Sequence, residues 1–128
     1  MAERRRQPPP QVAVPRRGEV FLVSFDPTVG HEIRKTRPAV IIQNDVSNKY
    51  SPVTIVAAMS LQFFDPPHPR EVIAERGISG LTRSSAVVVN QIRTVDRQRL
   101  VRKLGHLDTE TMTRVDEALK ITLGLVEM

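Results

Sequence analysis

The chain has 128 residues, of which 40% are hydrophobic and 26% are charged, a composition typical of one globular domain. It contains no Cys, which excludes a disulfide scaffold, a thiolate nucleophile and a thiolate metal site. Its three His residues lie far apart, so a zinc site is not expected. No apolar run has the length of a transmembrane helix, and we expect a soluble, cytoplasmic protein without a secretory signal.

The net charge of +5 is concentrated at the N-terminus. Residues 1–17 contain five Arg, one Glu and four of the ten Pro. Such a segment buries too little apolar surface to order itself, so we predict a flexible, basic, Pro-rich tail. This tail could bind a polyanion loosely or have no role, and the sequence leaves both alternatives open. The folded domain is predicted to span residues 18–128.

The predicted elements of this domain are mainly strands. Val, Ile and Phe concentrate in short runs, and Pro, Gly, Asn and Asp separate these runs. The segments 26–36, 44–52 and 61–69 are predicted as loops or turns, and Pro38 can only open a strand. Strands are predicted at 19–25, 39–42, 53–59, 71–74, 85–89 and 92–95, the last either continuing or pairing with the one before it.

Helix is predicted only near the C-terminus. Asp96 can cap a short turn, and Asp108 is a good N-cap for a helix of about four turns. In that helix Met112, Val115 and Leu119 recur at three- and four-residue steps and form one apolar face. Five or six short strands followed by a closing helix indicate a small β-barrel or half-barrel with helical additions.

Several strings in fixed order resemble one known family. They are RGEVFLVSFDPTVGHEIRKTRPAVIIQND at residues 17–45, Asn48-Lys-Tyr-Ser-Pro52, Ile55-Val-Ala-Ala58, Asn90-Gln-Ile-Arg-Thr-Val-Asp96 and Val115-Asp-Glu-Ala-Leu119. Together they resemble the MazF/PemK family of toxin endoribonucleases from bacterial toxin–antitoxin modules. The resemblance covers the whole predicted domain.

The resemblance implies a mainly β fold, an SH3-like small barrel with a C-terminal α-helix, assembled as a homodimer. It implies cleavage of single-stranded RNA at a short sequence without a metal or another cofactor. The products would carry a 2′,3′-cyclic phosphate and a 5′-hydroxyl. A cognate MazE-like antitoxin would block the RNA groove with an extended acidic segment.

Two residues are the catalytic candidates. Arg37 has a planar, permanently charged fork that suits two phosphate oxygens, and the catalytic Arg of the family falls at this Arg-Pro position. Without the resemblance, a solvated charge at a strand start would be the better interpretation of Arg37. Ser60 follows a predicted strand, and its hydroxyl can hydrogen-bond a phosphate oxygen. The family usually has Thr there, so a turn-forming Ser is an equal alternative.

The candidate RNA-binding residues lie in or near the predicted loops. His31 belongs to a Gly-His-Glu string of the PemK branch, but the Arg and Asp of that branch are replaced here by Val88 and Asn90, which leaves no evident general base. Cationic side chains attract phosphates, and amides can contact unstacked bases. The structural alternatives are that the charges are simply solvated and that the amides cap turns. The candidates are His31, Glu32, Arg34, Lys35, Asn44 and Gln91.

Other residues are given structural roles. Phe21 and Phe25 share one face of the first strand and are predicted to be core, so no broad stacking platform is expected. Arg93 is predicted to pair with an acidic neighbour such as Asp96. The loops 26–36 and 61–70 are expected to border the groove and set the cleavage motif.

Two other functions stay open from the sequence. One is a non-catalytic toxin of the same fold that acts by protein contact, such as a DNA gyrase inhibitor. The retained Arg37-Pro38 pair argues against it. The other is a basic RNA-binding module without cleavage, which the replacement of Thr by Ser60 keeps open.

Overall fold

The computed structural model describes residues 14–33, 35–77 and 80–127, so most of the predicted tail, together with Arg34, lies outside the described residues. The described chain forms one six-stranded sheet and two α-helices. The strands are β1 (Glu19–Ser24), β2 (Thr36–Ile41), β3 (Val53–Ser60), β4 (Glu71–Ala74), β5 (Ser85–Asp96) and β6 (Leu100–His106); the helices are α1 (Asp45–Tyr50) and α2 (Thr109–Thr122).

The sheet has the strand order β4-β5-β3-β2-β1-β6, and its neighbouring strands are antiparallel. Apolar side chains alternate between the two faces of the sheet and form a buried cluster on each face. One face carries Val20, Val40 and Met59, and the other carries Phe21 and Phe25, as predicted for the two aromatic residues. The mainly β fold with a C-terminal helix is confirmed. No pairing joins β4 to β6 in the described chain, so the sheet is open, and the word barrel describes it loosely.

The helix α2 covers one face of the sheet. Its start is capped by Asp108, whose Oδ1 accepts a hydrogen bond of 3.2 Å from the backbone N–H of Thr111. Val115 and Leu119 are buried with the face of the sheet that includes β4 and β5. The predicted N-cap and the predicted apolar face are both confirmed. None of the described helices is long and apolar enough to cross a membrane.

Two elements differ from the sequence predictions. The predicted turn at 44–52 contains the helix α1, because the Asn44 side chain accepts from the N–H of Ser47 at 2.8 Å and caps it. The strand β6 was not predicted, because its residues 101–103 (Val-Arg-Lys) are all exposed on an edge strand that pairs only with β1 and so show no alternation of buried apolar residues. The predicted strands at 85–89 and 92–95 are one continuous strand, β5.

Candidate functional site

A small pocket lies between the start of β2, the end of β3 and the loop between β4 and β5. Its volume is about 180 Å³. It brings together the two catalytic candidates, Arg37 and Ser60, which lie 23 positions apart in the sequence. We call it the arginine pocket. Its lining is Thr36, Arg37, Pro38, Met59, Ser60, Leu61, Leu81, Thr82, Arg83 and Ser85.

Arg37 lies in the first part of β2, which is paired on one side only. It lies opposite Val23 of β1, and Pro38 lies opposite Leu22, whereas the ladder to β3 begins at Ala39. Pro38 lacks an N–H donor and is therefore tolerated where β2 has a single neighbour. The Arg37 side chain is exposed and has no hydrogen bond or ion pair to another described residue. Its guanidinium is thus available to an anion.

Ser60 is the last residue of β3 and lies opposite Ala86 of β5. Its Oγ accepts a hydrogen bond of 3.1 Å from the backbone N–H of Gln62. Because this contact uses a lone pair of the oxygen, the hydroxyl hydrogen remains available to donate. Ser60 therefore presents an O–H donor to the same pocket as the Arg37 guanidinium, and both groups can donate hydrogen bonds to an oxyanion.

A larger pocket of about 490 Å³ lies on the other side of Ser60. We call it the groove pocket. One wall is the loop between β3 and β4, with the partly exposed rings of Phe63 and Phe64. The opposite wall is β5, with the amides of Asn90 and Gln91. Aromatic faces and amides together can stack on and hydrogen-bond an unstacked base.

A carboxylate holds the loop that forms the aromatic wall. Glu71 Oε1 accepts hydrogen bonds from the backbone N–H of His68 at 2.8 Å and of Phe64 at 3.2 Å. The Arg70 guanidinium lies 5.8 Å from the centre of the Phe64 ring and hydrogen-bonds the His68 ring. Sequence reasoning missed these residues, since nothing in a Pro-rich loop indicates that a strand-edge Glu organises its backbone.

Gln91 connects the groove pocket to the loop between β1 and β2. Its Oε1 accepts from the N–H of Ile33, and its Nε2 donates to the carbonyl of His31, both at 3.4 Å. His31 and Glu32 are exposed, and Glu32 Oε1 accepts from the N–H of Val29 at 2.6 Å. Neither residue lines the arginine pocket or the groove pocket in the described chain.

The other RNA-binding candidates lie apart from both pockets. Lys35 has a positive φ of 65°, and its N–H donates to Asp26 Oδ1 at 3.0 Å. Asn44 uses its side-chain oxygen as the N-cap of α1. Arg34 lies outside the described residues. Of the eight site candidates, the structure brings Arg37, Ser60 and Gln91 to the two adjoining pockets.

The prediction that Arg93 pairs with Asp96 is wrong. Arg93 Nη1 donates to the carbonyl of Phe25 at 2.5 Å, and its guanidinium lies 6.0 Å from the Phe25 ring centre. Residues 93 and 96 of one extended strand point to opposite faces of the sheet, because side chains alternate along a strand. The Asp96 side chain instead accepts from the N–H of Gln98 at 2.9 Å and caps the 3₁₀ turn Arg97–Arg99.

Fold and site together define a single-sheet protein in which the arginine pocket adjoins the groove pocket at Ser60. Comparison with known proteins makes the assignment specific. The family of PemK-like, MazF-like toxins of type II toxin–antitoxin systems matches residues 16–123, and the chain belongs to this family.

A relative and two solved structures are consistent with this membership. The chain is 43% identical over 112 residues to Endoribonuclease EndoA of Bacillus subtilis, covering 88% of this chain and 97% of that protein. The MazF structure from Deinococcus radiodurans matches with a TM-score of 0.74 at 24% identity, over 88% of this chain and 99% of that one. A mycobacterial endoribonuclease solved with its cognate antitoxin matches with a TM-score of 0.73 at 21% identity, over 89% and 99%. At these identities the two structures show the shared fold alone.

Proposed function

We propose that this toxin is an endoribonuclease that cleaves single-stranded RNA at a short sequence without a metal ion. The observation that carries the proposal is that Arg37 and Ser60 line one pocket, with the Arg37 guanidinium free of partners among the described residues. Support also comes from the relative at 43% identity, which is an endoribonuclease by name. A cytoplasmic location, where mRNA is found, stays a prediction.

The reaction that fits this pocket is attack of a ribose 2′-oxygen on the neighbouring phosphorus. The new O–P bond forms as the 2′-hydroxyl loses its proton, and the bond from phosphorus to the 5′-oxygen breaks as that oxygen gains one. The products are a 2′,3′-cyclic phosphate and a 5′-hydroxyl. The Arg37 fork would donate two hydrogen bonds to the non-bridging oxygens, and the Ser60 hydroxyl would donate one.

The described lining of the arginine pocket contains no carboxylate and no imidazole. The proposal therefore assigns its side chains to charge stabilisation and alignment and assigns the proton transfers to none of them. One hydrogen-bond donor aimed at the developing charge typically lowers the activation barrier by about 3–4 kcal/mol. Metal independence follows from the family resemblance and is tested directly by chelation.

The groove pocket is proposed to hold a nucleotide next to the scissile phosphate. Ser60 lines both pockets, so a strand of RNA crossing it would place a phosphate in one and a base in the other. The loops 26–36 and 61–70 flank this path and are proposed to set the cleavage motif. His31, Glu32, Arg34, Lys35, Asn44 and Gln91 remain proposed RNA contacts. Of these, Gln91 has the strongest support because it lines the groove pocket.

A homodimer and an antitoxin complex are proposed as assemblies. Large apolar side chains stay exposed at and beyond the end of α2, among them Ile121, Leu123 and Leu125. Burying such a cluster in a dimer interface would remove apolar surface from water, which favours association. Sedimentation at micromolar concentration should give a species of twice the 14.4 kDa chain mass. A monomer under these conditions would contradict the dimer.

The test is incubation of purified protein with a long mixed-sequence RNA in the presence of EDTA, followed by mapping of the fragment ends. We expect discrete cuts at one short motif, with 5′-hydroxyl ends. Arg37→Ala should remove the cuts. Arg102→Ala removes an equal charge from an exposed position on β6 with no described side-chain partner and serves as the matched control.

A folded protein that cuts no RNA would overturn the proposal. Retained binding of RNA would then favour the RNA-binding module. Absence of RNA binding would favour a toxin that acts by protein contact, and a DNA gyrase assay would follow.

A further inference from the structure

We propose that Arg83 is a second phosphate-binding arginine of the reaction, a role that rests on the proposed function. Arg83 lies just before β5 and lines the arginine pocket together with Arg37 and Ser60. The two guanidiniums come from separate parts of the sheet, one from the start of β2 and one from the loop between β4 and β5. They border one cavity of about 180 Å³.

The charge of this pocket is not balanced by the protein. The Arg83 side chain, like that of Arg37, has no hydrogen bond or ion pair to another described residue. The described lining holds no carboxylate. Two like charges on one small cavity repel each other, and an anion between them would remove the repulsion. The pocket is therefore built for a group that carries negative charge.

The backbone before Arg83 is anchored on the sheet. Leu81 is buried in the core, and its carbonyl accepts a hydrogen bond of 2.9 Å from the N–H of Gly77. Gly80 has a φ of +71°, and a Cβ at this position would lie 1.9 Å from the carbonyl oxygen of Leu104. Only Gly allows the loop to approach β6 so closely. This close packing fixes where the loop passes the pocket.

The backbone after Arg83 is anchored by two serines. Ser84 Oγ accepts from the N–H of Arg76 at 3.1 Å and donates to Glu75 Oε2 at 3.0 Å. Ser85 Oγ donates to the carbonyl of Arg83 at 3.2 Å. A loop tied at both sides holds the Arg83 backbone beside the pocket, so only the side chain remains to be ordered when a phosphate binds. A backbone fixed in advance lowers the cost of placing a charged donor at the transition state.

The charge on the reacting phosphate increases during the reaction, and this gives a second arginine a role. A phosphodiester carries one negative charge, and the pentavalent phosphorane formed by 2′-oxygen attack carries two. One guanidinium matches the ground state, whereas two match the transition state. Arg83 should therefore contribute more to kcat than to KM, since an interaction that strengthens in the transition state raises kcat.

The test compares three variants on a short RNA that carries the mapped cleavage site. Arg83→Ala should lower kcat by about 100-fold with a smaller change in KM. Arg83→Lys should recover part of the loss, because Lys keeps the charge but loses the planar fork. Arg76→Ala is the matched control: it removes an equal charge from the same loop at an exposed residue outside the pocket, and it should change kcat less than twofold.

Thermal unfolding of each variant shows whether the fold is kept, and Arg83→Gln replaces Arg83→Ala if the latter unfolds. Equal kcat values for the Arg83 variants and Arg76→Ala would overturn the role of Arg83 and leave the proposed function intact. A folded wild-type protein that cuts no RNA would overturn the proposed function, and the role of Arg83 with it.

Discussion

Two regions of the molecule use arginine in opposite ways. At the end of β1, Arg93 and Arg99 point their guanidiniums at backbone carbonyls. Arg93 donates to Phe25, and Arg99 donates to Ser24 at 3.1 Å and to Asp26 at 2.5 Å. We call this region the carbonyl cluster. In the arginine pocket, Arg37 and Arg83 have no such partners in the described chain.

The contrast between these regions divides one residue type between a structural role and a functional role. A guanidinium that donates to backbone carbonyls ties a loop to the sheet. A guanidinium without partners keeps its donors for a ligand. Removing an arginine of the carbonyl cluster should therefore cost stability, and removing one from the arginine pocket should cost activity.

Arg37→Ala should lower the rate of RNA cleavage by about 100- to 1,000-fold, since it removes a charged donor to the transition state. Its melting temperature should equal that of the wild type, because the side chain contacts no described residue through a hydrogen bond or ion pair. Cleavage kinetics and calorimetry measure the two effects. A large loss of stability in this variant would contradict the division.

Arg93→Ala should lower the free energy of unfolding by about 1.5–3 kcal/mol, the range for a hydrogen bond from a charged group. The variant loses the bond to the Phe25 carbonyl and the contact with the Phe25 ring. Urea denaturation measures the change, with Arg102→Ala as the control for the lost charge. If the two variants are equally stable, the carbonyl cluster has no structural role.

Much of the fold could be predicted from the sequence. Alternating Val, Ile and Phe, interrupted by Pro and Gly, locate β1 to β5 because these patterns reflect burial on a pleated sheet. The strand β6 could not be predicted from the sequence, because its exposed residues show no apolar alternation. The helix α1 could not be predicted either, because residues 44–52 are rich in turn formers. The N-cap at Asn44 favours a helix only in its tertiary setting.

The candidate site was less accessible to sequence reasoning. Arg37 and Arg93 each lie on a strand with no local pattern that separates their roles, and the family resemblance alone marked Arg37. Arg83 lies between Thr and Ser after a glycine turn, a pattern that gives no signal of a pocket. Whether a guanidinium lies within hydrogen-bond distance of a carbonyl depends on the register of the strands and on the path of the loops. Local composition predicts neither of these.

Ser60→Ala should lower kcat by about tenfold, the equivalent of one lost hydrogen bond of about 1.4 kcal/mol. Ser60→Thr should keep kcat within about threefold of the wild type, because the hydroxyl donor is retained. Steady-state cleavage kinetics measure both variants, and Ser51→Ala, at a hydroxyl remote from the pockets, serves as the control. Equal rates for Ser60→Ala and the wild type would remove Ser60 from the mechanism.

The smallest expected effect lies outside both arginine regions, at the cap of α2. Hydrogen bonds from the Thr111 side chain and N–H hold the pKa of Asp108 below its ordinary value. A carboxylate with a depressed pKa stabilises the fold above the ordinary pKa of Asp, and this contribution is lost as the pH falls through the depressed pKa.

Asp108→Ala should therefore lower the melting temperature slightly at neutral pH, and its difference from the wild type should shrink in strongly acidic solution. Thermal melts across pH measure this, with Glu117→Ala as the control on the exposed face of the same helix. A difference that grows as the pH falls would contradict the sign.

The most direct measurement is an NMR titration of the arginine side-chain Nε–H signals with an RNA whose scissile nucleotide is 2′-deoxy and cannot be cut. The division of the arginines predicts that the signals of Arg37 and Arg83 shift on binding. The signals of the carbonyl cluster, Arg93 and Arg99, should stay in place. Shifts confined to the carbonyl cluster, with Arg37 unmoved by a bound RNA, would contradict the account.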